Sequence, residues 1–121
     1  MRFLLDGYNL ANWLARDPDL QPAQLRAMLR HAIRTRNVPV ASSMEVYWDV
    51  RSRDPSIPAN EYFDEFTAHN VPDADAAIID AVRDAAKPSQ CTVVSRDREV
   101  TGKSRQLGAR IMSPKDFFGA S

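Results

Sequence analysis

The sequence predicts an α/β domain built on a mainly parallel sheet covered on both faces. Three observations carry this. Short β-rich apolar runs recur along the chain: RFLL (2–5), MEVYWDV (44–50), CTVVS (91–95) and ARIM (109–112). Segments of helical periodicity separate them, which is the alternation of a parallel sheet with its crossover helices. Three of the strands also end on, or just before, an aspartate: Asp6, Asp49 and Asp97. Those acids would gather along the carboxyl edge of the sheet, where open α/β folds bind ligands.

Each element has a local reason. RFLL is a short buried strand closed by Asp6-Gly7, read as a turn with Asn9 just beyond it. From Pro22 to Arg36, Leu25, Leu29, Ala32 and Ile33 keep helical spacing, and Pro22 suits the first turn. MEVYWDV is the second strand and RSRDPSIPAN (51–60) a polar, proline-containing loop. EYFDEFTAHN (61–70) fits a short helix or a strand, with an extended stretch favoured near Phe66. A helix follows from about Asp73 to Ala86 and breaks at Lys87-Pro88-Ser89. After CTVVS comes a helix from Arg98 to Leu107 with Gly108 as its C-terminal cap. ARIM is the last strand, and Ser113-Pro114 open a final short helix as N-cap and first helical residue. No repeat, low-complexity tract or linker is visible.

At 121 residues the chain suits one domain spanning 1–121, large enough for a core without disulfide or metal staples. Its single cysteine, Cys91, allows no internal disulfide, so a reducing cytoplasm is the expected compartment. Cys91 itself reads as a small buried strand residue rather than a nucleophile. No signal-peptide core or membrane span is visible, so no membrane partner is expected. The formal net charge is +0, so bulk charge does not demand a nucleic-acid partner. Its distribution is more telling. Residues 21–40 carry Arg26, Arg30, Arg34 and Arg36 without an acid, whereas residues 61–84 carry Glu61, Asp64, Glu65, Asp73, Asp75, Asp80 and Asp84 against Arg83 alone. A basic and an acidic element in one small domain suit a site that holds both a cation and a polyanion.

Asp75 gives the sharpest pointer. On a helical wheel Ile78, Ile79, Val82 and Ala86 fall within about 60° of it, so it stands in the apolar stripe at the first turn. Asp73 is the natural N-cap of that helix, which leaves Asp75 without that role. A carboxylate turned toward a core is costly unless it is protonated, hydrogen-bonded or bound to a metal. Asp6, Asp75 and Asp97 are therefore expected to form one cluster. Hard oxygen ligands without neighbouring His or Cys favour Mg²⁺ or Mn²⁺, and such an ion activates water for phosphodiester cleavage. Asn9 would orient a carboxylate or offer its amide to substrate. Asp49 would stand behind the site or be purely structural. The plainer alternatives are that Asp97 caps the next helix and Asp6 makes a side-chain turn.

Arg26, Arg30 and Arg34 share one helix face at i, i+4 and i+8, a spacing at which like charges cost a few tenths of a kcal/mol per pair. RNA phosphate contact would explain them, with Arg51, Arg53, Lys103 and Arg105 as further cations nearer the presumed active edge. The plainer reading is a solvated face balanced by acids elsewhere, and overall neutrality favours it. Tyr8, Trp13 and Trp48 would stack on bases, although aromatics beside strands are more often core. His31 and His69 have no metal-ligand spacing.

Together LLDGYNLANW, EVYWD, DADAAIIDAV, and VVSRDREV with LGARIMSPKDFF resemble the YacP-like NYN domains of the PIN-like ribonuclease superfamily, over almost the whole chain. The resemblance implies a PIN-like three-layer α/β/α sandwich and Mg²⁺- or Mn²⁺-dependent endonucleolytic cleavage of RNA. By position, the family aspartates fall on Asp6, Asp75 and Asp97 and the asparagine on Asn9, with Asp49 and Ser95 as supporting residues. Ala76 stands where the family often has a second acid, and the chain is short for the family. Partners within the RNA-processing machinery or on the ribosome, and a homodimer, are left open. The rival of a different class is a catalytically inactive PIN-like module that binds RNA or protein, for which Ala76 is the best support. An aspartyl-nucleophile phosphatase would want a second aspartate where Tyr8 stands, and a receiver domain an acidic pair where only Asp6 stands.

Overall fold

The computed structural model of the chain describes residues 1–50 and 55–119. The first strand, β1 (Arg2–Asp6), passes directly into helix α1 (Gly7–Leu14), and α2 (Pro22–Thr35) follows. Strand β2 (Ser43–Asp49) leads to a hairpin, β3 (Asn60–Tyr62) and β4 (Thr67–Val71). Helix α3 (Ala74–Asp84), β5 (Cys91–Val94), α4 (Arg98–Gln106), β6 (Arg110–Met112) and α5 (Pro114–Phe117) complete the described chain. A short 3₁₀ turn at Pro88–Gln90 precedes β5. Among the described residues no helix is long and apolar enough to cross a membrane.

The strands form one sheet in the order β3-β4-β2-β1-β5-β6, all parallel except β3, which pairs antiparallel with β4. The expected three-layer α/β/α architecture is present. Side-chain alternation along β1 sorts the two layers. Phe3 and Leu5 pack with Leu10, Leu29, Ile33 and Phe117 on the α1/α2/α5 side, while Leu4 packs with Ile78, Val82, Val93 and Val100 on the α3/α4 side. The chain winds outward from β1 through β2 to β4, then returns to the far flank of β1 for β5 and β6. Its direction reverses between β1 and β5, and the carboxyl edge at such a switch point is where doubly wound sheets place ligands.

Several boundaries follow the sequence closely. Asp73 caps α3 by accepting from the Ala76 N–H at 3.1 Å, and Ser113 caps α5 by accepting from the Asp116 N–H at 3.1 Å. Gly108, at φ 103°, closes α4. Its own N–H reaches the Arg105 carbonyl and the Ala109 N–H reaches the Ser104 carbonyl, each at 3.0 Å, the double closure of a left-handed C-terminal cap. The segment at 61–70 is extended on either side of Phe66, as favoured, but it is a hairpin connection that places Phe66 in the core at 5% exposure.

One element departs from expectation. Asp6-Gly7 is not a turn: α1 starts at Gly7 with no intervening residue. A Cβ on Gly7 would stand 2.5 Å from Trp48 Cε3 and 2.7 Å from the Tyr47 carbonyl oxygen. The glycine is there to let α1 approach β2, not to supply a positive φ. Leu10 and Ala11 then bury fully against the sheet.

Candidate active site

Asp6 is the last residue of β1 and, by alternation, points to the same side as Leu4, toward α3 and α4. It is only 6% exposed. Its Oδ2 accepts from Ser95 Oγ at 2.9 Å, and Ser95 Oγ accepts from the Asp97 N–H at 3.0 Å. Since a serine hydroxyl has one hydrogen, the amide fixes its direction and the hydrogen points at Asp6. Burial pushes the Asp6 carboxyl up to about 6; the Ser95 hydrogen bond opposes this, and the negative charges of Asp75, Asp49 and Asp97 add to it. The Asp75, Asp49 and Asp97 carboxylates therefore lie within electrostatic reach of Asp6.

Asp75 stands in the first turn of α3. The centre of the buried stripe runs through Ala74, Ile78 and Val82, and Asp75 lies at its margin, half-buried. This corrects the expected position in mid-stripe, because α3 rolls so that Ala74 meets the sheet. Burial first, then the charges of Asp97, Asp49, Asp73 and Glu99, raise its carboxyl above the ordinary value. No hydrogen-bond donor or cation pairs with it among the described residues. It opens onto a cleft of about 450 Å³ between α3 and α4, with Glu99 and Lys103 on the facing wall.

The other predicted residues are committed to the backbone. Asp49 Oδ1 accepts from the Ala74 N–H at 2.6 Å, so the end of β2 holds the start of α3. Asp97 is the N-cap of α4, its Oδ1 accepting from Glu99 and Val100 at 2.8 and 3.2 Å. The plainer role considered for Asp97 is therefore present. Asn9 Oδ1 accepts from the Arg96 N–H at 2.8 Å, tying α1 to the loop after β5.

No group of three or more acidic, histidine or cysteine side chains that could hold a metal ion is formed among the described residues. The expected three-ligand set of Asp6, Asp75 and Asp97 is therefore not assembled, and the capping bond of Asp97 is the physical reason visible here. What the edge offers a cation is a narrower donor set: Asp6, whose charge burial disfavours, and Asp75, whose carboxylate lacks a partner. That chemistry fits Mg²⁺, which keeps several of its waters and commonly takes one or two carboxylates plus substrate phosphate.

The arginine face divides. The Nε atoms of Arg30 and Arg34 each lie 3.1 Å from an oxygen of Glu65, whose carboxyl is held below its ordinary range chiefly by the Arg30 hydrogen bond. Lys103 pairs with Glu99 at 2.9 Å. For these three the balanced-face reading holds. Arg26 differs: its Nε donates to Tyr8 Oη at 2.8 Å and its guanidinium lies over the Tyr8 and Trp48 rings at 5.7 and 5.6 Å, with no acidic partner among the described residues. Arg105 is exposed in the last turn of α4. Arg51 and Arg53 lie outside the described residues. Trp48 is 2% exposed and belongs to the core, as does Cys91 on the other face.

Sequence reasoning missed the partners that make these residues act together: Glu99 facing Asp75, Glu65 bridging two arginines, and the Tyr8–Arg26 bond. Only the last had a local trace, a tyrosine directly after Asp6-Gly7. Neither a family model, nor a curated protein, nor a solved structure matches the chain, so the likeness to YacP-like NYN domains stands on the sequence motifs alone.

Proposed function

We propose that this chain is a metal-dependent endoribonuclease of the YacP-like NYN kind, working at the carboxyl edge of its sheet in a reducing cytoplasm. The observation that supports it is the electrostatic crowding of acids at the carboxyl edge: burial and the charges of Asp75, Asp49 and Asp97 raise the Asp6 carboxyl, and burial and the charges of Asp97, Asp49, Asp73 and Glu99 raise that of Asp75. Such crowding of acids at a ligand-binding edge marks a functional site more readily than a structural one. Asp6 and Asp75 would hold Mg²⁺ or Mn²⁺, and the ion when bound supplies an activated water and charge for the phosphoryl oxygens. Ser95 aims Asp6, while Asn9 and the Asp97 cap fix the loop that carries Ser95.

One observation favours a second reading, an inactive module that binds RNA or protein: Asp97 and Asn9 spend oxygens on backbone amides, and no three-ligand set is formed. A single experiment separates the two. Purified protein is incubated with mixed structured RNA in Mg²⁺, Mn²⁺ or EDTA, beside Asp6→Asn and Asp75→Asn. Cleavage that needs the metal and is lost in both variants is expected. RNA binding without cleavage would establish the second reading, and cleavage that survives both substitutions would refute the acidic site.

A further inference from the structure

A second concave feature lies on the opposite face of the sheet from Asp75. It is a pocket of about 400 Å³ between α2 and the β3–β4 hairpin. Arg26, Arg30 and Arg34 line one wall, and Trp48, Phe63 and Glu61 are among the residues opposite. The pocket starts close to the acidic edge, because Trp48 immediately precedes Asp49 and Arg26 is bonded to Tyr8, two residues after Asp6.

Its chemistry is specific. Three guanidinium groups and one carboxylate, Glu61, line it; Glu65, outside the lining, serves both Arg30 and Arg34, and Arg26 has no acidic partner among the described residues. Glu61 is held by the Asn70 side-chain amide at 3.0 Å, and His31 completes the titratable lining. Two of the guanidinium groups lie over rings: Arg26 over Tyr8 and Trp48 at 5.7 and 5.6 Å, and Arg30 over Phe63 at 4.5 Å. Arginine grouped with aromatic rings beside a pocket is a surface on which unstacked bases rest while phosphates meet the remaining N–H groups. Glu61 disfavours a bare phosphate and accepts from the amino group of a base.

We propose that this pocket seats a nucleotide of single-stranded RNA flanking the position of cleavage. The proposal takes its ligand class from the ribonuclease reading and adds the place where the substrate strand is held. An acidic protein segment is the competing occupant.

The test is a binding titration by fluorescence anisotropy. A short labelled single-stranded oligoadenylate is titrated with protein carrying Asp6→Asn, in EDTA, so that neither cleavage nor metal contributes. In that background Arg26→Gln is expected to weaken binding about fivefold and lower the salt slope by about one. Phe63→Leu should weaken it about fivefold with the slope unchanged. Glu65→Gln, which releases two guanidinium groups, should tighten binding about threefold and steepen the slope, a gain that misfolding cannot imitate. Arg110→Gln, on β6 at the far edge of the sheet, should change nothing.

Affinities within twofold of the parent for Arg26→Gln and Phe63→Leu, with no gain from Glu65→Gln, would overturn the proposal. So would polyglutamate binding as tightly as the oligonucleotide, which would assign the pocket to acidic protein. Absence of nuclease activity in the unmodified protein would sink the ribonuclease reading but leave these titrations standing. An active nuclease with unchanged titrations would sink the pocket alone.

Discussion

Ser95 donates its hydroxyl hydrogen to Asp6 across the seam between β1 and β5, at 2.9 Å and 89 residues apart in the chain. The hydroxyl cannot turn away, because the Asp97 amide occupies its acceptor side. The bond favours the charged form of a carboxyl that burial would otherwise keep protonated.

Ser95→Ala should therefore move the Asp6 titration upward from about 6, since the lost hydrogen bond favours the charged carboxylate. Ser95→Thr should leave it in place. Carboxyl-carbon NMR across the pH range, in EDTA, reads both. A titration that stays put or falls in the alanine variant would show that Ser95 does not support the charge.

The Asp6 carboxyl also makes stability depend on pH. The folded protein keeps its proton up to about pH 6 whereas the unfolded chain releases it near 3.8. Stability contributed by this group is thus full below the lower value, falls as pH rises between the two, and stays lost above the upper one. Asp6→Asn removes the cost of burying the charge. At neutral pH, without metal, it should stabilise the protein by about 1–3 kcal/mol, and the gain should vanish near pH 4. Urea denaturation at the two pH values measures this. A destabilised variant at neutral pH would contradict the assignment.

Asp97 has two roles that substitution can separate. Asparagine keeps a capping oxygen and alanine does not, so Asp97→Ala should cost about 1 kcal/mol and Asp97→Asn only a fraction of that. If Asp97 only caps and positions, cleavage by the asparagine variant should remain near the parent rate. A large loss of activity at unchanged Tm would instead give its carboxylate a direct part in catalysis.

Gly7→Ala should destabilise by about 1–3 kcal/mol, because the added Cβ meets the Trp48 ring and the Tyr47 carbonyl at the same time. Thermal unfolding followed by tryptophan fluorescence reads both the lowered Tm and a disturbed Trp48. An unchanged Tm would mean that α1 can lift away from β2 freely.

The layer order and most elements were legible because their causes are local: alternation in the strands, spacing in α2 and α3, and the capping residues Asp73, Gly108 and Ser113. Helix α1 was hidden because glycine and asparagine after a strand read as turn residues, and the ring that demands Gly7 belongs to Trp48, forty-one positions on. That Asp6 and Asp49 stand at strand ends and Asp75 in the first turn of α3 was legible in the sequence. Their division of labour was not, because whether a carboxylate caps a helix or stays free depends on which amides the fold turns toward it. Asp49 and Asp97 meet amides, whereas Asp75 does not. The arginine face was equally undecidable locally, since Glu65, which neutralises part of it, arrives from the β3–β4 connection.

The direct passage from β1 into α1 leaves the acidic edge without slack. One residue inserted between Asp6 and Gly7 would turn α1 by about 100°, carrying Leu10 off the sheet and Asn9 away from the Arg96 amide together. Strand, helix and the loop after β5 are geared at that junction, so the position of Asp6 and the seating of the first helix are one mechanical setting rather than two.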